Sequence, residues 1–306
     1  MNRGILLVFL TALVSGVSIF INAFAVKGIN PLLLTTLKNT LVALVLLSVI
    51  LIVENKNFRK IFDRKLLPRF LAIGLIGGSI PFFLFFYALS LLKSPAIAGF
   101  IHKTLFIWAS IFALIFLKEK LSPKFLLGAF ILLAGNYLFF LPNVALSLPT
   151  LLVLIATIFW AAENVIAKSM LNEVSGTLVA FARMFFGSVF MLVALAIFMP
   201  SVLLSTFTLS FAQLAWLGIT ASFLFLYVFT YYNGLKYLPV HKATSILLLA
   251  QPITAMLSAS FLGTSLTPEK ALGALLIVCG VLLVVGISYV FSKFEGKVPF
   301  WVRLKA

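Results

Sequence analysis

Long apolar stretches follow one another along almost the whole chain, and short polar breaks separate them. A helix of about 20 apolar residues crosses the hydrocarbon of a bilayer. Cutting the sequence at charges, prolines and polar turns therefore predicts ten transmembrane helices. Their predicted bounds are 4–26, 31–53, 70–92, 95–117, 123–141, 148–171, 176–199, 211–236, 240–262 and 269–291. No connection between them is long enough to form a separate domain.

The composition agrees with this pattern. Apolar residues make up 63% of the chain and charged residues only 10%, whereas a soluble domain carries about 25% charged residues. The single cysteine, Cys279, excludes a disulfide within the chain, and two histidines with one cysteine cannot supply four zinc ligands. The sequence thus predicts an all-α membrane protein with no metal site and no cofactor.

The net charge of +16 is distributed unevenly between the two sides of the predicted helices. Three basic residues lie on one side: Lys27, Lys93 and Lys270. Sixteen lie on the side of the N-terminus: Arg3, Lys56, Arg59, Lys60, Arg64, Lys65, Arg69, Lys118, Lys120, Lys124, Lys236, Lys242, Lys293, Lys297, Arg303 and Lys305. Because cytoplasmic loops carry the excess of Lys and Arg, both termini and the tail 292–306 are predicted to be cytoplasmic, with the protein in the plasma membrane.

The same charges bear on the partners of the protein. The basic loop 54–69 is predicted to contact anionic lipid at the cytoplasmic face rather than nucleic acid. His241-Lys242, at the start of the ninth predicted helix, is interpreted as an anchor at the membrane interface. A monomer and a homodimer are both compatible with the sequence.

The chain contains an internal repeat. A shift of 145 residues superimposes its two halves and places Lys38 on Arg183. Other matched pairs are Tyr87 with Tyr232, Leu121 with Leu266, Pro123 with Pro268, Gly128 with Gly273 and Gly135 with Gly280. Each half holds five helices, and because five is odd the second half must enter the membrane from the opposite side. The prediction is two inverted five-helix repeats, 4–141 and 148–291, around a central cavity.

The segment Leu117-Lys118-Glu119-Lys120-Leu121-Ser122-Pro123 with Leu127-Gly128-Ala129 resembles the closing stretch of an EamA repeat in the drug/metabolite transporter superfamily. Gln251-Pro252 and the segment 261–280 repeat it in the second half. The resemblance implies ten helices in two inverted repeats, a central cavity, and movement of small organic metabolites, often outward. This chain departs from the family pattern at three places: Thr264 stands in place of a glutamate, Phe106-Ile107 in place of an acidic or polar residue followed by a proline, and Lys38 in place of an arginine.

Few polar residues fall deep inside the predicted helices, where each charge costs roughly 3 kcal/mol. Lys38, His102 and Lys103 lie at a similar depth, and no acidic residue is predicted near them. We assign them to substrate binding, with Asn22 and Gln251 as uncharged companions, for an anionic group such as a carboxylate or phosphate. The structural alternative is that both amines reach the interface or bond to backbone carbonyls.

Glu163 and Arg183 lie on consecutive predicted helices at a similar depth. A salt bridge between them is the simplest interpretation. The alternative is that Glu163 takes up a proton during transport, since it is the sole acid predicted deep in the membrane. His102 is a second candidate proton carrier.

These observations predict a secondary transporter that moves a small organic metabolite across the cytoplasmic membrane by alternating access. An anionic solute and coupling to protons or exchange are the favoured details. One alternative is the export of neutral or amphipathic metabolites or drugs, in which case the buried charges serve the structure. A second alternative is a membrane channel or scaffold without a carrier cycle. The chain is not expected to be an enzyme, because its only aspartate, Asp63, lies in a basic loop and neither histidine has a serine nucleophile beside it.

Overall fold

The computed structural model describes residues 3–25, 28–54 and 58–286, apart from the side chain of Ala23. All regular secondary structure in these ranges is helical. The first helix is Arg3–Ala25. Nine further spans follow: Pro31–Val53, Leu67–Leu91, Pro95–Phe116, Pro123–Phe140, Leu148–Met170, Gly176–Phe198, Phe211–Leu235, Val240–Leu262 and Pro268–Val285.

Ten described helices are therefore long and apolar enough to cross a membrane, which confirms the predicted number. A short helix, Pro200–Leu204, and a 3-10 turn, Ser205–Thr208, connect the seventh and eighth spans. Lys27, Lys56, the end of the tenth predicted helix and the predicted tail 292–306 lie outside the described residues.

Several spans begin with the same local chemistry. A capping side chain accepts a hydrogen bond from a backbone N–H of the first turn, and a proline follows it directly. Asn30 does so for the second span, Ser122 for the fifth and Thr267 for the tenth. The first N–H groups of a helix have no partner within it, so a side-chain acceptor stabilises the start and proline loses nothing there.

The third span consists of two helices, Leu67–Gly78 and Ile80–Leu91, which meet at Ser79. Ser79 has φ −137° and ψ −76°, so the backbone leaves the helical conformation at this residue. Pro81 has no N–H with which to bond the carbonyl group four residues earlier, that of Gly77. The break therefore leaves a backbone carbonyl at membrane depth that needs a donor from elsewhere.

The fourth and ninth spans are interrupted at equivalent positions. Thr104 separates the helices Pro95–Lys103 and Leu105–Phe116. In the ninth span, a 3-10 turn at Leu247–Leu249 follows the short helix Val240–Ile246. A shift of 145 residues places Thr104 on Leu249, so both repeats break the same helix at the same depth.

The fifth and tenth spans join the repeats through glycines. A Cβ atom on Gly128 would lie 3.1 Å from the carbonyl oxygen of Gly280, and one on Gly273 would lie 2.7 Å from that of Gly135. Gly128 and Gly273 are equivalent by the repeat, as are Gly135 and Gly280. The contact is thus reciprocal, as a two-fold relation between the repeats requires, and small residues let the two backbones approach closely.

Four loops meet on one face of the bundle, which we call the basic face: 58–66, 117–122, 171–175 and 236–239. Arg69, beside the first of these loops, forms an ion pair of 2.9 Å with Glu173. Glu119 bonds to the start of the ninth span, and Arg3 lies 5.5 Å from the ring of Tyr237. We call the other end of the bundle the opposite face.

Candidate functional site

Lys38 lies in the second span and has a neutral partner. Its Nζ donates a hydrogen bond of 3.1 Å to Oδ1 of Asn22, on the first span. The amide of Asn22 is held in turn by Ser18, because its Nδ2 donates to the Ser18 carbonyl oxygen at 2.7 Å and to Oγ at 3.1 Å. Among the described residues, none of the ion pairs includes Lys38. The positive charge of Lys38 is therefore partly compensated by the neutral amide of Asn22 and not by a carboxylate.

His102 and Lys103 end the first helix of the fourth span. The His102 ring packs 5.0 Å from the ring of Trp160 and 5.8 Å from that of Phe85. Neither His102 nor Lys103 forms a hydrogen bond or an ion pair within the described part of the chain, and neither holds a fully enclosed polar atom. Their polar atoms are therefore neither bonded within the described residues nor fully enclosed by protein.

Of the predicted substrate-binding residues, the structure brings Asn22 and Lys38 together. Its described contacts do not join this pair to Lys103. Both lysines are cationic and have unused hydrogen-bond donors. Lys38 uses one of its three N–H groups, and Lys103 uses none among the described residues. A carboxylate or phosphate has the acceptors that such groups need.

Gln251 takes part in a separate polar chain. Its Nε2 donates to Oδ1 of Asn136 at 2.9 Å, and Nδ2 of Asn136 donates to the Phe100 carbonyl oxygen at 3.1 Å. Gln251 is 4% exposed, and its Oε1 is enclosed without a partner among the described residues. This chain ties the broken fourth and ninth spans to the fifth, and Asn136 was not singled out from the sequence.

Glu163 and Arg183 are neighbours in the interior. Oε2 of Glu163 lies 4.0 Å from Nε of Arg183, which is an ion pair without a close hydrogen bond between these atoms. Oε1 of Glu163 accepts a hydrogen bond of 2.6 Å from the hydroxyl of Tyr232. Glu163 is 2% exposed, so protein surrounds the carboxylate.

Arg183 also donates a hydrogen bond to the backbone carbonyl that the break in the third span leaves free. Its Nη2 donates to the Gly77 carbonyl oxygen at 2.9 Å, and Nε1 of Trp160 donates to the same oxygen at 3.0 Å. Nδ2 of Asn39 donates to the next carbonyl, that of Gly78, at 3.3 Å. Donors from the sixth and seventh spans thus replace the hydrogen bond that Pro81 cannot make, and a donor from the second span bonds the next carbonyl. The sequence signal was Ile80-Pro81 in the middle of a long apolar run.

Glu119 and His241 form a contact that sequence reasoning missed. The carboxylate of Glu119 accepts a hydrogen bond of 2.8 Å from the N–H of Val240 and lies 2.7 Å from Nδ1 of His241. The interpretation of His241 as an interfacial anchor is wrong, since its side chain is 6% exposed and packs between Glu119 and Phe125. Partial burial raises the pKa of Glu119, but the bonds from His241 and Val240 outweigh it and the pKa is lowered.

Ten apolar spans in two repeats are an architecture typical of membrane proteins that transport small molecules. The profile of the EamA-like transporter family matches residues 2–141 and 147–286. The chain belongs to this family.

Comparison with solved structures agrees on the fold. One crystal structure of a protein has a TM-score of 0.77 at 19% sequence identity, over 96% of this chain and 99% of that chain. At this identity, the similarity shows the fold alone. No curated protein sequence matched the chain. The family establishes a transporter of small molecules, and the two-repeat architecture predicted from the sequence is confirmed.

Proposed function

We propose that the protein is a secondary transporter that moves a small organic anion across the plasma membrane by alternating access. The observation that carries this proposal is the pair of cations at membrane depth, Lys38 and Lys103, with no carboxylate partner among the described residues. A buried charge is costly unless it is paired. An anionic solute supplies the missing negative charge and so gains binding energy from these lysines.

Substrate binding is assigned to Lys38, His102 and Lys103, with Asn22 and Gln251 as companions. Asn22 holds Lys38 in position and leaves two of its donors free. The unpartnered Oε1 of Gln251 provides an acceptor for a hydroxyl or N–H group of the solute. The anionic group is a carboxylate or a phosphate, since both accept several charge-assisted hydrogen bonds.

Glu163 and Arg183 serve the structure of the site in this proposal. The carboxylate is enclosed and bonded to Tyr232, and Arg183 is bonded to the broken third span. His102, whose ring nitrogens have no hydrogen bond among the described residues, is then the candidate proton carrier, and exchange against a second anion is the other form of coupling. In Glu163→Gln, pH-driven transport should persist while thermal stability falls; loss of coupling would instead assign the proton to Glu163.

The basic face is the cytoplasmic face in this proposal, with both termini and the tail 292–306 inside. The repeats comprise 4–141 and 148–291. Phe62 is 72% exposed on the basic loop, which suits insertion among lipid headgroups beside Arg59 and Arg64. The partners are thus the solute and anionic lipid, for a monomer or a homodimer. Labelling of single cysteines placed in loops 54–66 and 263–267 from either side of sealed vesicles tests this orientation.

The anion site is tested by ligand-induced thermal shift on purified protein, because a ligand that binds the folded form raises its apparent stability. The probes are benzoate, succinate and glucose 6-phosphate, each beside its neutral counterpart: benzamide, succinamide and glucose. We expect at least one anion, and not its neutral counterpart, to stabilise the wild type and Lys93→Gln, whose lysine is exposed.

Lys103→Gln should lose this stabilisation while its unfolding temperature without ligand is kept. Equal stabilisation of Lys103→Gln and the wild type would contradict the anion site. Stabilisation by neutral compounds alone would favour the export of neutral or amphipathic metabolites, with the buried charges serving the structure.

A further inference from the structure

The contact between Glu119 and the start of the ninth span joins the two repeats at the basic face. Glu119 belongs to the loop after the fourth span of the first repeat, and His241 belongs to the second. The carboxylate holds three groups at once: the N–H of Val240 at 2.8 Å, Nδ1 of His241 at 2.7 Å and, more weakly, the N–H of His241 at 3.5 Å. The ring of His241 also lies 4.7 Å from that of Phe125. The side chains of His241 and Glu119 are 6% and 12% exposed, so water screens this contact less than one at the surface.

This contact lies where the fourth and ninth spans come together. At the basic face, the helix Val240–Ile246 packs against Leu105–Phe116. The equivalent segments at the opposite face are Pro95–Lys103 and the end of Ala250–Leu262, and in the described part of the chain they make no extensive contact. The same pair of spans is therefore closed at one face and separated at the other.

The repeat explains why the opposite face has no such contact. The residue equivalent to Glu119 is Thr264, which has no carboxylate. The residue equivalent to Val240 is Pro95, which has no N–H, and the one equivalent to His241 is Ala96, which has no imidazole. The carboxylate, the closer N–H and the imidazole of the contact are all missing. The N–H of Ala96 is bonded to its own capping residue instead, Oγ of Ser94 at 3.3 Å.

We propose that Glu119 and His241 hold the transport pathway closed at the basic face, and that the protein rests open toward the opposite face because this contact has no equivalent there. The proposal rests on the proposed alternating-access function. Opening at the basic face requires Val240 and His241 to leave the carboxylate of Glu119. The 3-10 turn Leu247–Leu249, directly beyond this helix, is the place where the ninth span can bend.

The experiment measures distances between spin labels by double electron–electron resonance on the full chain, in a Cys279→Ser background. One pair replaces Lys120 and Lys236 at the basic face. The other replaces the equivalent residues of the opposite face, Ser265 and Leu91, and all four positions are exposed. The distances are read without solute, so the result does not depend on whether Lys103 binds an anion.

For Glu119→Ala, we expect the basic-face pair to gain a longer distance and the opposite-face pair a shorter one. His241→Ala should shift both pairs in the same direction by a smaller amount, because the N–H of Val240 keeps its acceptor. The control Glu269→Gln, which changes an exposed acid at the opposite face, should leave both pairs as in the wild type.

Folded Glu119→Ala and His241→Ala with unchanged distances at both faces would overturn the proposal. A gain of function is a second test. Combining Thr264→Glu, Pro95→Val and Ala96→His builds the missing contact, and the opposite-face pair should then gain a shorter distance. Unaltered distances in this triple variant would also count against the proposal, whereas a failed anion-binding assay would count only against the proposed solute.

Discussion

Lys38 and Arg183 occupy equivalent positions in the two repeats, yet their surroundings differ. Arg183 lies beside Glu163 and donates to the carbonyl group freed in the third span. Lys38 bonds to Asn22, and the residue equivalent to Glu163 near it is Ser18. One repeat thus compensates its buried cation, and the other leaves it to a neutral amide.

One proline accounts for the part of this difference that concerns the backbone carbonyl. Pro81 breaks the third span, whereas the equivalent residue in the eighth span is Leu226, within a continuous helix Phe211–Leu235. The eighth span therefore has no free carbonyl for Lys38 to satisfy. In the proposed function, the cation that the fold needs in one repeat is available for a solute in the other.

The largest expected effect is on stability and separates these two cations. Arg183→Met leaves the enclosed carboxylate of Glu163 unpaired and removes a donor from Gly77, so we expect a loss of about 3–5 kcal/mol in unfolding free energy. Lys38→Met should change it by less than about 1 kcal/mol, because the lost hydrogen bond to Asn22 is offset by the removal of a partly buried charge. Reversible unfolding in detergent measures both. Equal losses in the two variants would mean that the repeats do not differ in this way.

The next effect concerns the hydroxyl of Tyr232, which donates a hydrogen bond to Glu163. Tyr232→Phe removes a hydrogen bond of 2.6 Å to a buried carboxylate, and bonds to charged groups contribute about 1.5–3 kcal/mol. The matched control is Tyr87→Phe at the equivalent position of the first repeat, which is 58% exposed and should be neutral. A loss of stability in both variants, or in neither, would contradict the assigned role of Tyr232.

A carboxylate placed near Lys38 should make the first repeat resemble the second. Ser18→Glu introduces the acid at the position equivalent to Glu163. We expect the affinity for an anionic solute to fall about tenfold, which corresponds to about 1.4 kcal/mol. Ser18→Gln has the same size without the charge and should bind nearly as the wild type does. Titration calorimetry measures both, and equal affinities would exclude Lys38 from the anion site.

The smallest effect is expected at Asn22. Asn22→Leu removes the acceptor that positions Lys38, a hydrogen bond whose net contribution is about 1 kcal/mol. Affinity for the anion should fall by about threefold to fivefold in the same titration. Ser48→Ala, on the same span as Lys38 but exposed, is the control. A larger loss than in Ser18→Glu would show that Asn22 itself binds the solute.

The spans were predictable from the sequence because the length of an apolar run is a local property. The inversion of the repeat was predictable because it follows from the odd number of helices in each half. The break at Ser79 was not predicted, although Pro81 marks it, because proline is tolerated in a membrane helix wherever other donors are near. Those donors, Trp160 and Arg183, lie far along the chain. Glu119 and His241 are likewise 122 residues apart, and no local pattern indicates their contact.

Counterflow in proteoliposomes tests the central claim most directly. Vesicles loaded with an unlabelled anion that stabilises the protein are diluted into the same labelled anion, and accumulation of label is followed. We predict saturable accumulation that requires internal anion for the wild type and Lys93→Gln, and none for Lys103→Gln. Flux that does not saturate and ignores the internal anion, or equal accumulation by Lys103→Gln, would contradict a carrier with an anion site at these lysines.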